Sequence, residues 1–306
     1  MIFLDSKNIV FARKILNNEN FIFDCDGVLW RGGEIINGAD KVIKMLNKLK
    51  KKIFFVTNAS TKTTDLLIEK FRKLNIPIQK DKLIHAGLAT AFYLNSLNLK
   101  PKSNIYLIGS NNLHQTLKDN TKSLIFSGLE DNNKTLKSFS DNQEYNLLLH
   151  NIKENKYVAV VIGWDNSFNT YKLAKSSTIL KYQKECHFIS SNNDFTAPFS
   201  PEIVMPASGS LISAIETASG RKALCVGKPS AELGKNIISK FNLNPKNTCM
   251  IGDRIDSDLY FGKNAGFNTC IVLSGVTNLQ MLKELDPEKK PDYYANSIAS
   301  ILNVNN

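Results

Sequence analysis

The chain has 306 residues, 42% of them apolar, and carries a formal net charge of +11. This length exceeds that of one typical domain and the apolar content can fill two cores, so we expect two domains. The lysines are spread along the chain, and the cluster Lys48, Lys50, Lys51 and Lys52 lacks interleaved aromatic residues, which argues against a nucleic-acid partner. The positive charge would instead steer small anionic molecules toward a cleft.

The composition also predicts a cytoplasmic chain. Its longest apolar runs are far shorter than the roughly 20 residues that cross a bilayer, so we expect no membrane association. The first seven residues turn polar before an apolar secretory segment forms, which predicts a soluble, uncleaved chain. The five cysteines are scattered without a C-x-x-C spacing, and several lie in apolar runs, as is typical of buried thiols in a reducing compartment.

Two acidic residues follow the first predicted strand. The apolar run 21–23 leads into Asp24, Cys25 and Asp26, and Gly27 comes next. Open parallel sheets build their sites at the carboxyl ends of strands. At an effective dielectric of about 20, two carboxylates about 4 Å apart repel by roughly 4 kcal/mol, so we expect a divalent cation to offset them. Taken alone, the pair also fits an ordinary turn or a metal-dependent glycosyl-transfer site.

Three later apolar runs end in polar groups of compatible chemistry. The run 53–56 ends at Thr57 and Asn58, the run 223–226 at Gly227 and Lys228, and the run 249–251 at Gly252 and Asp253, with Asp258 beyond. A hydroxyl, an amide, a cation and further carboxylates together describe a phosphoryl-transfer site. A P-loop is excluded, because the glycine spacing is wrong and Pro229 stands where a Walker motif needs Ser or Thr.

Strand-like runs alternate with helix-like segments, which predicts a Rossmann-like α/β core with a parallel sheet and helices on both faces. A second alternating series runs from about Leu83 to Pro206, and the core motifs resume after it. Because this segment splits the core chemistry, we expect residues 1–83 and 206–306 to form a catalytic core and residues 84–205 an inserted domain. Within the insertion, the polar composition of residues 130–156 predicts an elongated surface excursion.

Six stretches carry a family resemblance, in order, across nearly the whole chain. They are residues 24–32 (DCDGVLWRG), 55–58 (FVTN), 163–165 (GWD), 217–222 (TASGRK), 227–230 (GKPS) and 252–258 (GDRIDSD). The chain resembles the haloacid dehalogenase superfamily of aspartyl-phosphate phosphatases, and within it the 4-nitrophenylphosphatase, phosphoglycolate phosphatase and pyridoxal phosphatase branch. This resemblance implies an inserted α/β cap of the C2 type, which closes over the active site, selects substrates and often mediates homodimer formation.

The resemblance also implies roles for the acidic residues. Asp24 is the expected nucleophile that forms an aspartyl-phosphate, and Asp26 the expected acid that protonates the leaving oxygen and later takes a proton from water. Asp24, the backbone carbonyl of Asp26, and Asp253 are expected to bind Mg²⁺. Asp258 is expected to anchor either these ligands or Lys228.

The phosphate contacts and the cap hinge follow from the same resemblance. Thr57, the backbone around Asn58, and Lys228 are expected to hold the phosphoryl oxygens, although a surface lysine in a turn is a competing interpretation for Lys228. Two positions depart from the family pattern. Ala59 replaces a common second Asn, and residues 205–209 (MPASG) replace a more glycine-rich hinge, which predicts a stiffer cap.

Other residues around these motifs have weaker signals. Trp30 and Arg31 precede two glycines in what resembles the family's flap, a small hairpin, although a structural role is a fair alternative for Trp30. Cys25 would point away from the two acids on an extended chain, so packing is favoured over redox sensing. The four histidines show no metal-ligand spacing and are expected in core or surface roles.

The substrate is expected to be read by the cap. Asn192, Asn193 and Asp194 are candidate contacts to the leaving group, although a polar turn explains them equally well. We expect a Mg²⁺-dependent phosphomonoesterase acting on small metabolites, with 2-phosphoglycolate as the leading substrate and 4-nitrophenyl phosphate as an artificial one. Pyridoxal 5′-phosphate is the alternative, but that branch commonly has a histidine in this loop and residues 190–196 contain none.

Two further function classes are less favoured. A protein phosphatase is disfavoured because a closing cap would exclude a folded protein substrate. A phosphate-binding module without turnover is disfavoured because Asp24, Asp26, Lys228 and Asp253 are all present.

Overall fold

The computed structural model describes residues 1–3, 14–136, 142–197 and 203–304, and these fall into two compact units. The core unit takes its described residues from Met1–Thr57, Thr64–His85 and Lys228–Asn306. The inserted unit takes them from Asn58–Thr63 and Ala86–Gly227. In the described part of the chain, no helix has both the length and the apolar character needed to span a membrane.

A seven-stranded parallel sheet forms the centre of the core unit. Its strands, in spatial order, are β1 (Ile2–Phe3), β16 (Tyr293–Ala295), β15 (Asn268–Val272), β14 (Thr248–Gly252), β2 (Asn20–Phe23), β5 (Lys52–Thr57) and β6 (Leu83–His85). All four residues of the central strand β2 are buried, as expected for a strand covered on both faces. The short antiparallel pair β3 (Trp30–Arg31) and β4 (Glu34–Ile35) confirms the hairpin expected after Asp26.

Helices cover this sheet. They are α1 (Ala39–Lys48), α2 (Thr64–Lys73), α8 (Ala231–Phe241), α9 (Tyr260–Ala265) and α10 (Leu279–Glu284). Helix α1 shows why these segments fold as they do, because Ala39, Val42, Ile43 and Leu46 recur at helical spacing and are all buried. The helices thereby bury one apolar face each and leave the strand ends for other contacts.

The register of the central strands aligns the functional positions. Phe23 pairs with Phe55 on one side and with Ile251 on the other. The residues at or just after the ends of these strands therefore lie at the same edge of the sheet, and among them are Asp24, Thr57 and Asp253.

The inserted unit has its own five-stranded parallel sheet. The strand order is β13 (Leu224–Cys225), β10 (His187–Ser190), β9 (Tyr157–Ile162), β7 (Asn104–Ile108) and β8 (Ile125–Ser127). Its helices are α3 (Ala86–Ser96), α4 (Asn111–Asn120), α5 (Asn142–Glu154), α6 (Thr170–Tyr182) and α7 (Ser208–Ser219), and a two-stranded ribbon joins β11 (Thr196–Ala197) to β12 (Met205–Pro206).

The inserted unit ends later than the expected boundary at residue 206. Helix α7 packs on α6, with Ile212 and Ile215 buried in the inserted unit's apolar core. Strand β13 then pairs with β10, and the chain returns to the core unit at Lys228. The expectation was wrong here because the composition after residue 206 carries no mark of which core the helix joins.

The surface excursion expected over residues 130–156 is also corrected. Residues 142–154 form helix α5, in which Leu148 and Ile152 pack into the inserted unit's core. Asp131, at the start of the segment, is fully buried. Residues 137–141 lie outside the described residues. The helix was not predicted because it buries only a narrow apolar stripe and most of its residues are polar.

Candidate active site

A buried lysine joins two carboxylates at the carboxyl edge of the core sheet. Lys228 Nζ lies 2.5 Å from Asp24 Oδ1 and 2.6 Å from Asp258 Oδ1, and Lys228 is only 2% exposed. Burial alone would lower the pKa of Lys228, but the two carboxylates raise it above its ordinary value, so the side chain is an ammonium ion. Its burial rules out the surface-lysine interpretation.

Asp24 follows β2 directly and is 7% exposed. Its backbone N–H donates to the carbonyl of Ile251 in β14, which extends the strand pairing to the reactive position. Burial raises the pKa of Asp24 and the neighbouring carboxylates raise it further, while Lys228 acts in the opposite direction. The site therefore holds more negative charge than its lysine offsets.

Asp258 anchors Lys228, and this is one of the two roles that the sequence predicted for Asp258. It lies in the π-helical turn Ile255–Leu259 that follows β14, a type of turn often found at functional sites. Its Oδ1 accepts from Lys228, and its Oδ2 accepts from the backbone N–H groups of Asp253 and Arg254, both at 3.0 Å. Asp258 thus connects the ammonium group of Lys228 to the backbone at Asp253.

Asp253 has a carboxylate oxygen that needs a partner. Its Oδ2 accepts from the backbone N–H of Val276 at 2.8 Å, whereas its Oδ1 is buried without a hydrogen-bond partner among the described residues. Gly27 (φ +86°) and Gly275 lie so close that a Cβ on either would overlap this carboxylate. Burial, followed by the charge of Asp258, raises the pKa of Asp253 to about 7. A buried carboxylate oxygen without a hydrogen bond lowers the stability of the fold unless a cation or a hydrogen-bond donor contacts it.

The acidic cluster fits a hard divalent cation. Ligand oxygens of Asp24, Asp253 and Asp258 lie within 4.8 Å of one another, and all three residues are buried. Asp258 is committed to Lys228 and to two backbone amides, which leaves Asp24 and Asp253 as the side chains suited to hold the ion. Carboxylate oxygens with few other protein ligands are the donor set that Mg²⁺ takes in proteins.

Asp26 lies outside this cluster and has a different environment. Its side chain is 47% exposed, and its Oδ1 accepts from the indole Nε1–H of Trp30 at 2.8 Å. The ammonium of Lys70, on α2, lies 3.6 Å from the same oxygen. The two expected catalytic carboxylates are therefore separated by environment, one buried among charges and the other at the surface of the core unit.

Known protein families and relatives match most of this chain. A haloacid dehalogenase-like hydrolase model matches residues 21–121, and a HAD-hydrolase-like model matches residues 225–301. The chain is 32% identical over 284 residues to phosphoglycolate phosphatase 1A, chloroplastic, of Arabidopsis thaliana, a match that covers 93% of this chain and 76% of the relative. The chain belongs to the haloacid dehalogenase-like hydrolases.

Two other relatives specify the activity of this hydrolase. It is 32% identical over 297 residues to the glycerol-3-phosphate phosphatase of Homo sapiens, which covers 93% of this chain and 90% of the relative. Its fold matches the solved p-nitrophenyl phosphatase from Archaeoglobus fulgidus with a TM-score of 0.76 and 26% identity, over 93% of this chain and 98% of the other. The protein is a phosphoric monoester hydrolase with an α/β core and an inserted α/β cap, which confirms the predicted family and fold class.

The hydrolase divides its expected phosphate-binding pair between the two units. Thr57 ends β5 in the core unit and is 4% exposed, whereas Asn58 belongs to the cap. Within the cap, Asn58 Nδ2 donates to Asp194 Oδ1 at 3.2 Å, and the carbonyl of Asn58 accepts from Asn192 Nδ2 at 3.1 Å. Asn192 and Asp194, two of the candidate substrate contacts, therefore hold Asn58 in place by hydrogen bonds.

The third candidate substrate contact has a local partner as well. Asn193 is exposed, and its Oδ1 accepts from Ser190 Oγ at 2.6 Å. Asn192, in contrast, is 4% exposed, and its Oδ1 accepts from the backbone N–H of Asp194. These contacts are those of an ordered polar turn, which was the competing interpretation, and they leave Asn193 as the most accessible of the three.

Sequence reasoning missed several parts of the hydrolase site. The loop after β15 supplies Gly275, the N–H of Val276, and Ser274 Oγ, which donates to the carbonyl of Gly27 at 2.8 Å. A signal existed, because the apolar run 270–273 ends at Ser274 and Gly275 in the same way as the other strand ends. Lys70 had no comparable signal, because its contact with Asp26 depends on how α2 packs.

Proposed function

We propose that the protein is a Mg²⁺-dependent phosphomonoesterase that hydrolyses small phosphorylated metabolites through an aspartyl-phosphate on Asp24, with 2-phosphoglycolate as the leading substrate. The observation that carries the proposal is the buried set in which Lys228 bridges Asp24 and Asp258, next to the Oδ1 of Asp253, which has no hydrogen-bond partner in the described part of the chain. One ammonium among three carboxylates leaves a negative site that a divalent cation would neutralise and a phosphoryl group could then enter.

In the first half of the proposed reaction, a carboxylate oxygen of Asp24 attacks phosphorus and the bond to the leaving oxygen breaks. Asp26 gives its proton to that oxygen, so the product leaves as an alcohol. Lys228, the hydroxyl of Thr57, and the backbone at Asn58 would stabilise the charge on the transferring oxygens. When bound by Asp24, Asp253 and the backbone carbonyl of Asp26, Mg²⁺ would supply further neutralisation of phosphoryl charge.

In the second half, water attacks phosphorus and the bond between phosphorus and the Asp24 oxygen breaks. Asp26, now ionised, takes the proton from that water, and inorganic phosphate is released. Asp26 thereby returns to its starting state. The exposure of Asp26 suits a residue that exchanges protons with substrate and water, and the burial of Asp24 suits a nucleophile kept apart from bulk solvent.

The substrate assignment is supported by the relatives' names and by charge. The relatives act on phosphoglycolate and glycerol 3-phosphate according to those names, and both are small alkyl phosphates. Glycerol 3-phosphate is therefore a second candidate, because the two relatives are equally identical to this chain. Pyridoxal 5′-phosphate is the alternative of a different chemical class. The net charge of +11 favours small anionic substrates of any of these types.

A kinetic panel tests the proposal. Hydrolysis of 2-phosphoglycolate, glycerol 3-phosphate, pyridoxal 5′-phosphate, a nucleotide and a phosphopeptide would be compared with Mg²⁺ and with EDTA. We expect the highest kcat/KM for an alkyl phosphate, and loss of activity in EDTA. Equal rates on all five substrates would overturn the specificity, and full activity in EDTA would overturn the metal-dependent mechanism.

We further propose a cytoplasmic homodimer that associates through the cap. The five cysteines all lie within the described residues and form no disulfide there, which suits a reducing compartment. The cap exposes large apolar side chains at Leu147 (60%), Phe195 (59%) and Val204 (81%), and exposed apolar groups of this kind are common at subunit contacts. Light scattering on the purified protein would give the assembly mass, and a monomer at micromolar concentration would contradict the dimer.

A further inference from the structure

We propose that Trp30 and Lys70 are positioning residues that fix the carboxyl group of Asp26 for proton transfer to the leaving group. The proposal rests on the proposed phosphomonoesterase mechanism and extends it to two residues that touch neither the acidic cluster nor Lys228 in the contacts described above. It assigns to the flap hairpin and to α2 an indirect part in the proton-transfer step, through the orientation of Asp26.

Two groups meet at one carboxylate oxygen of Asp26. Trp30 Nε1 donates to Asp26 Oδ1 at 2.8 Å, and Lys70 Nζ lies 3.6 Å from the same atom. Lys70 Nζ also lies 4.2 Å from the centroid of the Trp30 ring, which is within the range of a cation–π contact. The indole and the ammonium therefore hold each other as well as the carboxylate.

The indole is itself held rigidly. Trp30 is fully buried, and its ring packs edge-on against Phe71, which is also fully buried, with centroids 4.9 Å apart. The carbonyl of Trp30 accepts from the backbone N–H of Gly27 at 2.7 Å, which closes the turn that directly follows Asp26. Because Phe71 follows Lys70 on α2, one helix fixes both the indole and the ammonium. A catalytic group gains most when its supports are locked in this way before substrate binds.

The geometry leaves a defined atom for the proton. Both contacts fall on Oδ1, so a proton carried on Oδ2 leaves Oδ1 available to accept from both groups. The carboxyl group can therefore give up a proton and take one back without changing its orientation. A half-exposed aspartate without these contacts would sample several rotamers and would spend less time aimed at the leaving oxygen.

The leaving group offers a test that a merely structural role would fail. An alkoxide is a strong base and needs a proton as it departs, whereas 4-nitrophenolate is a weak base that departs without one. The ratio kcat/KM reports only on steps up to the departure of the leaving group, so hydrolysis of the aspartyl-phosphate does not enter it. Misplacing Asp26 should therefore lower kcat/KM for an alkyl phosphate far more than for 4-nitrophenyl phosphate.

The variants follow from the contacts. Lys70→Met keeps the length of the side chain and removes the ammonium, and Trp30→Phe keeps an aromatic ring against Phe71 and removes the N–H donor. Lys70→Arg restores a cation at the same place. Lys73→Met is the matched control, because Lys73 lies on the same helix and its ammonium pairs with Glu69 at the surface.

We expect Lys70→Met and Trp30→Phe to lower kcat/KM for 2-phosphoglycolate or glycerol 3-phosphate by about tenfold or more, within the usual range for general acid catalysis, and to change kcat/KM for 4-nitrophenyl phosphate by less than about twofold. Lys70→Arg should recover most of the loss, and Lys73→Met should match the wild type on both substrates. Should Trp30→Phe fail to fold, Lys70→Met and Lys70→Arg decide the question, because Lys70 is at the edge of the core.

An equal loss on the alkyl and aryl substrates, or no loss on either, would overturn the positioning role while leaving the phosphomonoesterase intact. Failure of the proposed function has a different signature, since the wild type itself would then lack Mg²⁺-dependent turnover of every alkyl phosphate tested. In that case the positioning role falls with it.

Discussion

Replacing Lys228 with methionine tests the charge balance at the centre of the site. Methionine has a similar length and no charge, so the substitution removes one ammonium and leaves Asp24 and Asp258 buried without it. Asp253 adds a third carboxylate to the same cluster. The side chains would repel one another and would have to take up protons or open to water.

The magnitude follows from burial. Lys228 is 2% exposed, Asp24 is 7% exposed and Asp258 is 1% exposed, so solvent screens their charges little. Removing one partner of such a buried pair costs about 3–5 kcal/mol of folding free energy. Adding Asp24→Asn to Lys228→Met removes one of the stranded charges, so the two changes should be non-additive, with a coupling of about 1–3 kcal/mol.

Urea unfolding in EDTA, followed by fluorescence in a Trp164→Phe background, gives the measurement. The chain has two tryptophans, so Trp30 then reports on the core unit alone. Mg²⁺ should restore part of the loss in Lys228→Met, because the ion would offset the stranded carboxylates. Lys172→Met is the control, since Lys172 forms a comparable buried pair with Asp165 in the cap. It is followed through Trp164 in a Trp30→Phe background, so that the fluorescence reports on the cap, and Mg²⁺ should not rescue it.

A loss below about 1 kcal/mol in Lys228→Met, a value typical of an exposed pair, would refute the reasoning. So would strict additivity with Asp24→Asn. Mg²⁺ rescue of Lys172→Met to the same extent would show that the ion acts on the protein in general and not on this cluster.

Three further changes test separate parts of the site and fold. Asp24→Asn should abolish turnover while the protein still folds, because Lys228 keeps its pair with Asp258, and appreciable residual turnover would contradict the nucleophile assignment. Gly27→Ala should weaken Mg²⁺ binding by about ten- to a hundredfold, because the added Cβ would displace the Asp253 carboxylate; a Mg²⁺ titration of the melting temperature measures this. Burial lowers the pKa of His85 to about 4, so its stabilising contribution is complete above the unfolded value of about 6.5 and declines as pH falls toward 4, by about 3 kcal/mol at pH 4. His85→Gln should flatten the unfolding free energy over that pH range, and an unchanged slope would contradict the assigned burial effect.

The strand ends could be predicted because their signals are local. Apolar runs that stop at Asp24, Thr57 and Asp253 identify neighbouring parallel strands, and parallel strands place their carboxyl ends at one edge. The turn at Gly27 belongs to the same pattern, since glycine adopts the positive φ of this turn and, having no Cβ, leaves room for the Asp253 carboxylate. The position of these residues in the chain and their residue types were sufficient to predict them.

Other features depend on tertiary packing that no local pattern encodes. Lys70 reaches Asp26 only because Phe71 orients α2 against Trp30. The helix over residues 142–154 buries a stripe too narrow to stand out against its polar residues. Asn192 looked like a substrate contact because asparagine in a loop is chemically suited to one, whereas its burial against the carbonyl of Asn58 is visible only in the folded cap.

The link that Asp258 makes between Lys228 and the backbone at Asp253 has an evolutionary consequence. Each of these groups is tolerable only while the others are present, so a descendant that drifted toward a non-catalytic role could not discard them singly without losing stability. Substitutions that remove these charges would have to occur together, or after other substitutions that stabilise the fold. Pseudoenzymes derived from such a scaffold should therefore differ from it at several of these positions together.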